Sequence, residues 1–237
     1  MISLNGQAVA TLAISNLDAI GGKSMRRFGM SLAAVTIGFW VAAPVVSADE
    51  WRALFNGKDL SGWKAVDGPL ASWKVEDGML YCSGGGGGWL STTDQYANFE
   101  VELQFRVPPS GNSGVFLRAP HQGNPAYAGM EIQVLDDLAL EYAKLQPFQY
   151  CGSLYGVAAP KVRASKKPGE WQSMHITCNG RNVQVKLNDT LIVDANLDEH
   201  KDQEAEHPGI LRTAGYIGLQ NHGTRLDFKN VRLRVLP

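Results

Sequence analysis

The chain has 237 residues, 44% of them hydrophobic and 19% charged, so it is neither a disordered nor a heavily solvated polymer. Its 22 lysines and arginines meet 23 acids, and a net charge of -1 gives no electrostatic reason to expect nucleic acid or an anionic membrane as a partner. Glycine at 26 and proline at 11 cut the apolar segments short, which excludes collagen, coiled coils and helical bundles.

Residues 1–48 read as an export segment. Arg26 and Arg27 form a charged start, Phe28 to Val46 an uncharged apolar stretch, and Val46-Ser47-Ala48 a small-residue cleavage signal before Asp49. The stretch is long enough to span a bilayer, but glycine, serine and threonine interrupt it, so cleavage and release to the periplasm or the outside are expected. Met1 to Ser24 lacks the character of a signal, which makes Met25 an alternative start. Removing Lys23, Arg26, Arg27 and Asp18 leaves 19 basic and 22 acidic residues, a net charge of -3, on a chain of residues 49–237. Export permits disulfides, yet Cys82, Cys151 and Cys178 leave at least one thiol unpaired, and their spacing selects no pair. No long Pro/Gly/Ser linker divides 49–237, so one domain is expected.

The strand signals begin at Trp73-Lys74-Val75-Glu76 and Met79-Leu80-Tyr81-Cys82, which flank the two-residue turn Asp77-Gly78. From Phe99 to Val107 every second residue is apolar, and Glu100, Glu102, Gln104 and Arg106 share the other face, as in a half-buried antiparallel strand. Further strands are predicted at Gly114–Arg118, Gly129–Leu135, Leu154–Val157, Trp171–Cys178, Val183–Leu187, Leu191–Val193, Tyr216–Gln220 and Leu226–Val235, with a second hairpin turn at Asn188-Asp189. Only Leu138–Lys144 and Asp198–Glu206 look briefly helical. This pattern predicts an all-β fold of two packed sheets, a sandwich or jelly roll.

Alternation also locates candidate chemistry. Val115 and Leu117, Met130, Ile132 and Val134, and Ile217 and Leu219 suit a core between sheets. Phe116 and Arg118, Glu131 and Gln133, and Gly218, Gln220 and His222 then fall on the opposite face. If these three strands are neighbours, a cleft floor holds a base, a cation and amides. Around it lie five glycines, Gly84 to Gly88, beside Trp89, and a polar loop from Pro120 to Tyr127 that carries His121. Gly152-Ser153-Leu154-Tyr155-Gly156 adds a further loop. The glycine run lacks the Lys-Ser/Thr and helix of a phosphate loop. Aromatic and polar loop residues beside carboxylates and amides suit a carbohydrate. His175 reads as an outer-sheet residue, and His200 and His207 are given no specific role.

Leu54-Phe55-Asn56-Gly57-Lys58-Asp59-Leu60-Ser61-Gly62-Trp63, Trp89-Leu90 through Tyr96-Ala97-Asn98-Phe99, Gly114-Val115-Phe116-Leu117-Arg118, Glu131-Ile132-Gln133-Val134-Leu135-Asp136, Leu154-Tyr155-Gly156-Val157 and Gly218-Leu219-Gln220-Asn221-His222-Gly223 follow one another in an order that resembles the 3-keto-disaccharide hydrolase domain family. The resemblance covers nearly all of 49–237. It implies a concanavalin A-like β-sandwich, export, and an oxidised 3-keto sugar substrate made by a separate oxidoreductase. A ketone at C3 acidifies the proton at C2, so a base can form an enolate and expel the glycosidic oxygen at C1, after which water adds. On this reading His222 or Glu131 is the base, Arg118 and Gln133 face the developing oxyanion, and Tyr155 is an acid or a binding hydroxyl. Gln220, His121, Tyr127, Trp89 and Asp136 complete the candidate binding set. A divalent ion held by His222, Glu131 or His121 is a variant of the same chemistry. Two rivals stand beside it: a retaining glycosidase, which needs a second carboxylate about 5 to 5.5 Å away, and a lectin-like module that binds without catalysis.

Overall fold

The computed structural model describes residues 50–237. The export segment, its cleavage site and the alternative start at Met25 lie outside the described residues. The first strands are β1 (Arg52–Ala53), β2 (Trp63–Val66), β3 (Trp73–Glu76), β4 (Met79–Cys82), β5 (Trp89–Tyr96), β6 (Phe99–Arg106) and β7 (Asn112–Ala119). After the short helix α1 (Pro125–Ala128) come β8 (Met130–Leu135), β9 (Trp171–Asn179), β10 (Asn182–Leu187), β11 (Thr190–Asn196), β12 (Gly215–Gln220) and β13 (Leu226–Val235). One sheet runs β11-β10-β9-β6-β13-β4-β3, with β1 also on β13; the other runs β2-β5-β12-β7-β8. Every pairing is antiparallel.

The core fills the space between the sheets. Phe99, Val101, Leu103 and Phe105 of β6 face Val115 and Leu117 of β7, Met130, Ile132 and Val134 of β8, and Ile217 and Leu219 of β12 within one buried cluster. The two hairpin turns form because both central residues reach the left-handed region: Asp77 and Gly78 at φ 50° and 74°, Asn188 and Asp189 at 49° and 66°. On the outer face of the larger sheet, Glu100 pairs with Arg234 and Glu102 with Arg232 across the β6–β13 ladder.

Several expectations are corrected. Leu154–Val157 is not a strand: Leu154 makes isolated bridges to Ile132 and Ala158, and Gly156 turns away at φ 72°. Strand β5 is not among the predicted strands, because Trp89 to Thr92 are all buried and no alternation marks them. The two helical stretches shrink to 3-10 turns at Leu140–Tyr142 and Leu197–Gln203. Helix α1 appears within the loop after β7 because Asn124 accepts from the Ala126 N–H at 3.0 Å and Pro125 stands at the first helical position. All three cysteines are free and buried. Burial pushes the thiols of Cys151 and Cys178 up to about 12 and about 11, which makes them poor nucleophiles.

Candidate functional site

Strands β12, β7 and β8 are neighbours, so their outward residues do share one floor. A cavity of about 190 Å³ stands over it, lined by Glu131 and Gln133 of β8, Asn112 of β7, Gln220 and His222 at the end of β12, and Tyr155; Asn124, Ala126 and Tyr127 come from α1 and its cap. Glu131, Gln133, Gln220, His222, Tyr127 and Tyr155 were anticipated from the sequence. Asn112 is not among the expected residues, because β7 starts two residues before the predicted Gly114–Arg118; continuing the spacing of Phe116 and Gly114 reaches it. Asn124 and Ala126 enter only through α1, which no sequence period announced.

Glu131 sits at the bottom, 4% exposed. Burial alone lifts its carboxyl from an ordinary 4.5 to about 8. The room for it is made by Gly114 on the neighbouring strand: a Cβ there would fall 1.9 Å from Glu131 Oε1. Three buried amide oxygens around it, Asn112 Oδ1, Gln133 Oε1 and Gln220 Oε1, have no hydrogen-bond partner in the protein. Such acceptors are costly unless a ligand or water supplies donors. Tyr155 is tied to the same strand, since its N–H donates to the Glu131 carbonyl at 2.9 Å, and its hydroxyl accepts from Gln149 Nε2 at 3.0 Å. The Tyr127 ring meets the Tyr155 ring edge-on at 6.3 Å. Burial first, then Tyr155 and Glu131, hold the Tyr127 phenol above its ordinary value.

Behind Tyr127 lies His207, to which the sequence assigns no specific role. It is 5% exposed and stacks on Tyr127 at 4.9 Å, and it lies so close to Gly156 that a Cβ there would be 2.1 Å from its Cε1. The glycine run packs beside the site as well: the Asn221 side chain donates to the carbonyls of Gly85 and Gly87, fixing the loop next to Gln220 and His222.

Four anticipated residues are placed elsewhere. Arg118 is 1% exposed and donates to the carbonyls of Ala97, Gly180 and Arg212 and to Asn98 Oδ1. The reason is a bulge: Leu117 and Arg118 together oppose Ile217, and Arg118 adopts φ 48°, so the alternation that placed it beside Phe116 ends there. His121 bonds Ser91 Oγ at 2.9 Å and stacks on Tyr216 at 3.6 Å, pinning the loop before α1 to the sheet. Burial first, then Lys64, lowers its affinity for a proton. Trp89 is 2% exposed and packs edge-on to Phe116 at 5.5 Å, beneath the surface a ligand would touch. Asp136 accepts from the N–H groups of Ser110 and Leu138 and so holds the turns flanking β7 and β8.

Glu131 and His222 are the ionisable groups of the pocket a cation would use, with amide oxygens beside them. Among the described residues no three His, Cys, Asp or Glu side chains converge as a metal-binding group, and His121 is engaged with Ser91. A larger groove of about 840 Å³ crosses the outer face of the eight-stranded sheet, but its Glu102 and Arg232 are paired with each other.

Residues 50–234 match the 3-keto-alpha-glucoside-1,2-lyase-like domain family. A 3-keto-disaccharide hydrolase from Bacteroides thetaiotaomicron is 30% identical over 233 residues, covering 81% of this chain and 80% of the relative. Among solved structures, a candidate glycosyl hydrolase from Parabacteroides distasonis has a TM-score of 0.71 at 30% identity, over 79% of this chain and 100% of the other. A carbohydrate-binding module from Bacillus subtilis shares the fold, with a TM-score of 0.50 at 16% identity over 73% and 95% of the two chains.

Proposed function

The chain belongs to the 3-keto-alpha-glucoside-1,2-lyase-like domain family, and we propose that it cleaves the glycosidic bond of 3-keto disaccharides by elimination and rehydration. The observation that carries this reading is Glu131, a lone carboxyl at the floor of a pocket whose other polar lining is amides, tyrosines and one histidine. A base whose proton affinity lies near neutrality suits abstraction of an acidified C–H. A retaining glycosidase would need a second carboxyl, and Glu131 is the one acid among the pocket's lining residues.

In the proposed reaction Glu131 as carboxylate takes the C2 proton, and the C2–H electrons form an enolate on the C3 ketone. The enolate collapses to a C1–C2 double bond as the C1–O bond breaks, and the leaving oxygen takes a proton from an acid in the pocket. Water then adds to C1, giving its proton back to that acid, while Glu131 returns its proton to C2, so the net change is hydrolysis. Placing Glu131 as the base leaves His222, exposed at the rim, for substrate contact. With Arg118 engaged elsewhere, the enolate oxygen is left to neutral donors, the amide of Gln133 and the phenol of Tyr127. The unpartnered oxygens of Asn112, Gln133 and Gln220 would receive sugar hydroxyl protons. Export completes the proposal and rests on the charged, apolar and small-residue order of 25–48.

The test is turnover of 3-keto-trehalose and 3-keto-lactose beside the unoxidised disaccharides in heavy water. Cleavage of the keto sugars alone, with deuterium entering C2, is the expected result. Cleavage of the unoxidised sugars would overturn it in favour of glycosidase chemistry, and binding without cleavage would leave a lectin-like module.

A further inference from the structure

The hydrogen bonds around Tyr155 have a direction. Gln149 ends the 3-10 turn Pro147–Gln149, and its side-chain Oε1 accepts from the Gln146 N–H at 3.0 Å while the Gln149 N–H reaches the Gln146 carbonyl at 2.9 Å. With the oxygen of the amide engaged by an N–H, the NH₂ end has one orientation left, and it faces the Tyr155 hydroxyl oxygen at 3.0 Å. A flipped amide would set NH₂ against N–H at one end. The Tyr155 oxygen is therefore an acceptor from Gln149, and its single O–H bond must point away from Gln149. The phenol lines the pocket, and its backbone is held to β8 through the Glu131 carbonyl.

We propose that Gln149 is a positioning residue that fixes the Tyr155 hydroxyl as a proton donor aimed into the pocket, where it protonates the departing glycosidic oxygen. This rests on the elimination reading above. In the elimination step the C1–O bond electrons go to the leaving oxygen, which takes the Tyr155 proton and leaves a phenolate facing the Gln149 NH₂. In the hydration step that phenolate removes a proton from the water that adds to C1, so Tyr155 ends as it began. The Gln149 N–H donor stabilises the phenolate in between. Gln149 touches neither substrate nor base; it acts through Tyr155.

The experiment reverses the polarity of this one bond. Gln149→Glu keeps an oxygen for the Gln146 N–H but replaces the donor to Tyr155 by an acceptor, which would draw the phenolic proton out of the pocket. Four chains are compared: the unsubstituted protein, Gln149→Glu, Gln149→Ala and Tyr155→Phe. Each is assayed on a 3-keto disaccharide, whose sugar alkoxide needs a proton to leave, and on a 4-nitrophenyl 3-keto-glucoside, whose leaving group does not. The expected result is a drop in kcat of about 100-fold for Gln149→Glu and Tyr155→Phe on the disaccharide. KM should hold, nitrophenol release should stay within about threefold, and Gln149→Ala should fall between because water can replace the lost donor. Equal slowing on both substrates would mark a merely structural role, and no slowing on either would remove Tyr155 from the reaction; both overturn the proposal. The ¹³Cζ signal of Tyr155, assigned through Tyr155→Phe, reads the bond without activity. It should move in Gln149→Glu, and an unmoved signal overturns the donor assignment. An unsubstituted chain inert on both substrates would sink the elimination reading instead, and the ¹³Cζ signal would still decide the direction of the bond.

Discussion

A carboxyl group taken out of water and given no cation keeps its proton to higher pH, and it becomes a stronger base once it loses it. Glu131 meets both conditions at the floor of its pocket, and Gly114 is what lets it reach there. Glu131→Gln should lower kcat on keto disaccharides by about 100-fold or more; a near-normal rate would move the base to His222. Gly114→Ala tests the same carboxyl from the next strand. A methyl group 1.9 Å from Oε1 forces the side chain aside, so turnover should fall by about tenfold or more with Tm shifted only a few degrees. Unchanged turnover would mean that Glu131 does not need its present position. The inward residues of this pocket were legible because a pleated strand writes its two faces into alternate letters, which placed Glu131, Gln133, Gln220 and His222 on one side. Arg118 was misread for the same reason: a bulge inserts a residue and reverses the faces, and no letter announces it. Gln149 and Asn124 matter through loop geometry, which carries no period.

At the scale of elements, the bulge at Arg118 converts a supposed anion-binding cation into a clasp. Its guanidinium joins the turn after β5, the turn after β9 and the segment leading into β12, using neutral oxygens throughout. Arg118→Ala strands those buried acceptors and removes the charge's packing, so a loss of about 3 kcal/mol is expected in denaturant unfolding, with the KM of the folded fraction unchanged. An altered KM at full stability would restore Arg118 to substrate binding. His207 does the comparable work for the tyrosines, joining the 3-10 turn Pro208–Leu211 to α1 through its stack on Tyr127. His207→Phe preserves a flat ring there and His207→Ala does not. KM should therefore rise several-fold for alanine and little for phenylalanine, and equal effects of the two would mean that the ring's packing is not what matters. The polar loop after β7 suggested a sugar-binding rim in the sequence, yet its His121 anchors the loop and its Tyr127 faces the pocket; composition could not divide those tasks.

Over the whole molecule, stability and activity are tied to the same proton. The two sheets bury their shared core without help from Glu131, which lies on the outer face of the smaller sheet and contributes a cost instead. Below an ordinary pKa of 4.5 the carboxyl is protonated in both folded and unfolded chains, and that cost is absent. As pH rises from 4.5 to about 8 the unfolded chain releases this proton and the folded chain keeps it, so stability falls, with a limiting slope of about 1.4 kcal/mol per pH unit. Above about 8 the folded chain ionises too and the penalty stops growing. The proposed base becomes active over that same rise, so kcat/KM should climb toward a plateau above pH 8 while Tm declines. Glu131→Gln separates this group from all others that titrate. Its Tm should match the unsubstituted chain at pH 4 and exceed it increasingly toward pH 8, since a neutral amide of the same shape carries no charge to desolvate. A pH-independent difference between the two would show that Glu131 ionises at its ordinary value, and the base would then have to be sought at His222 on the rim.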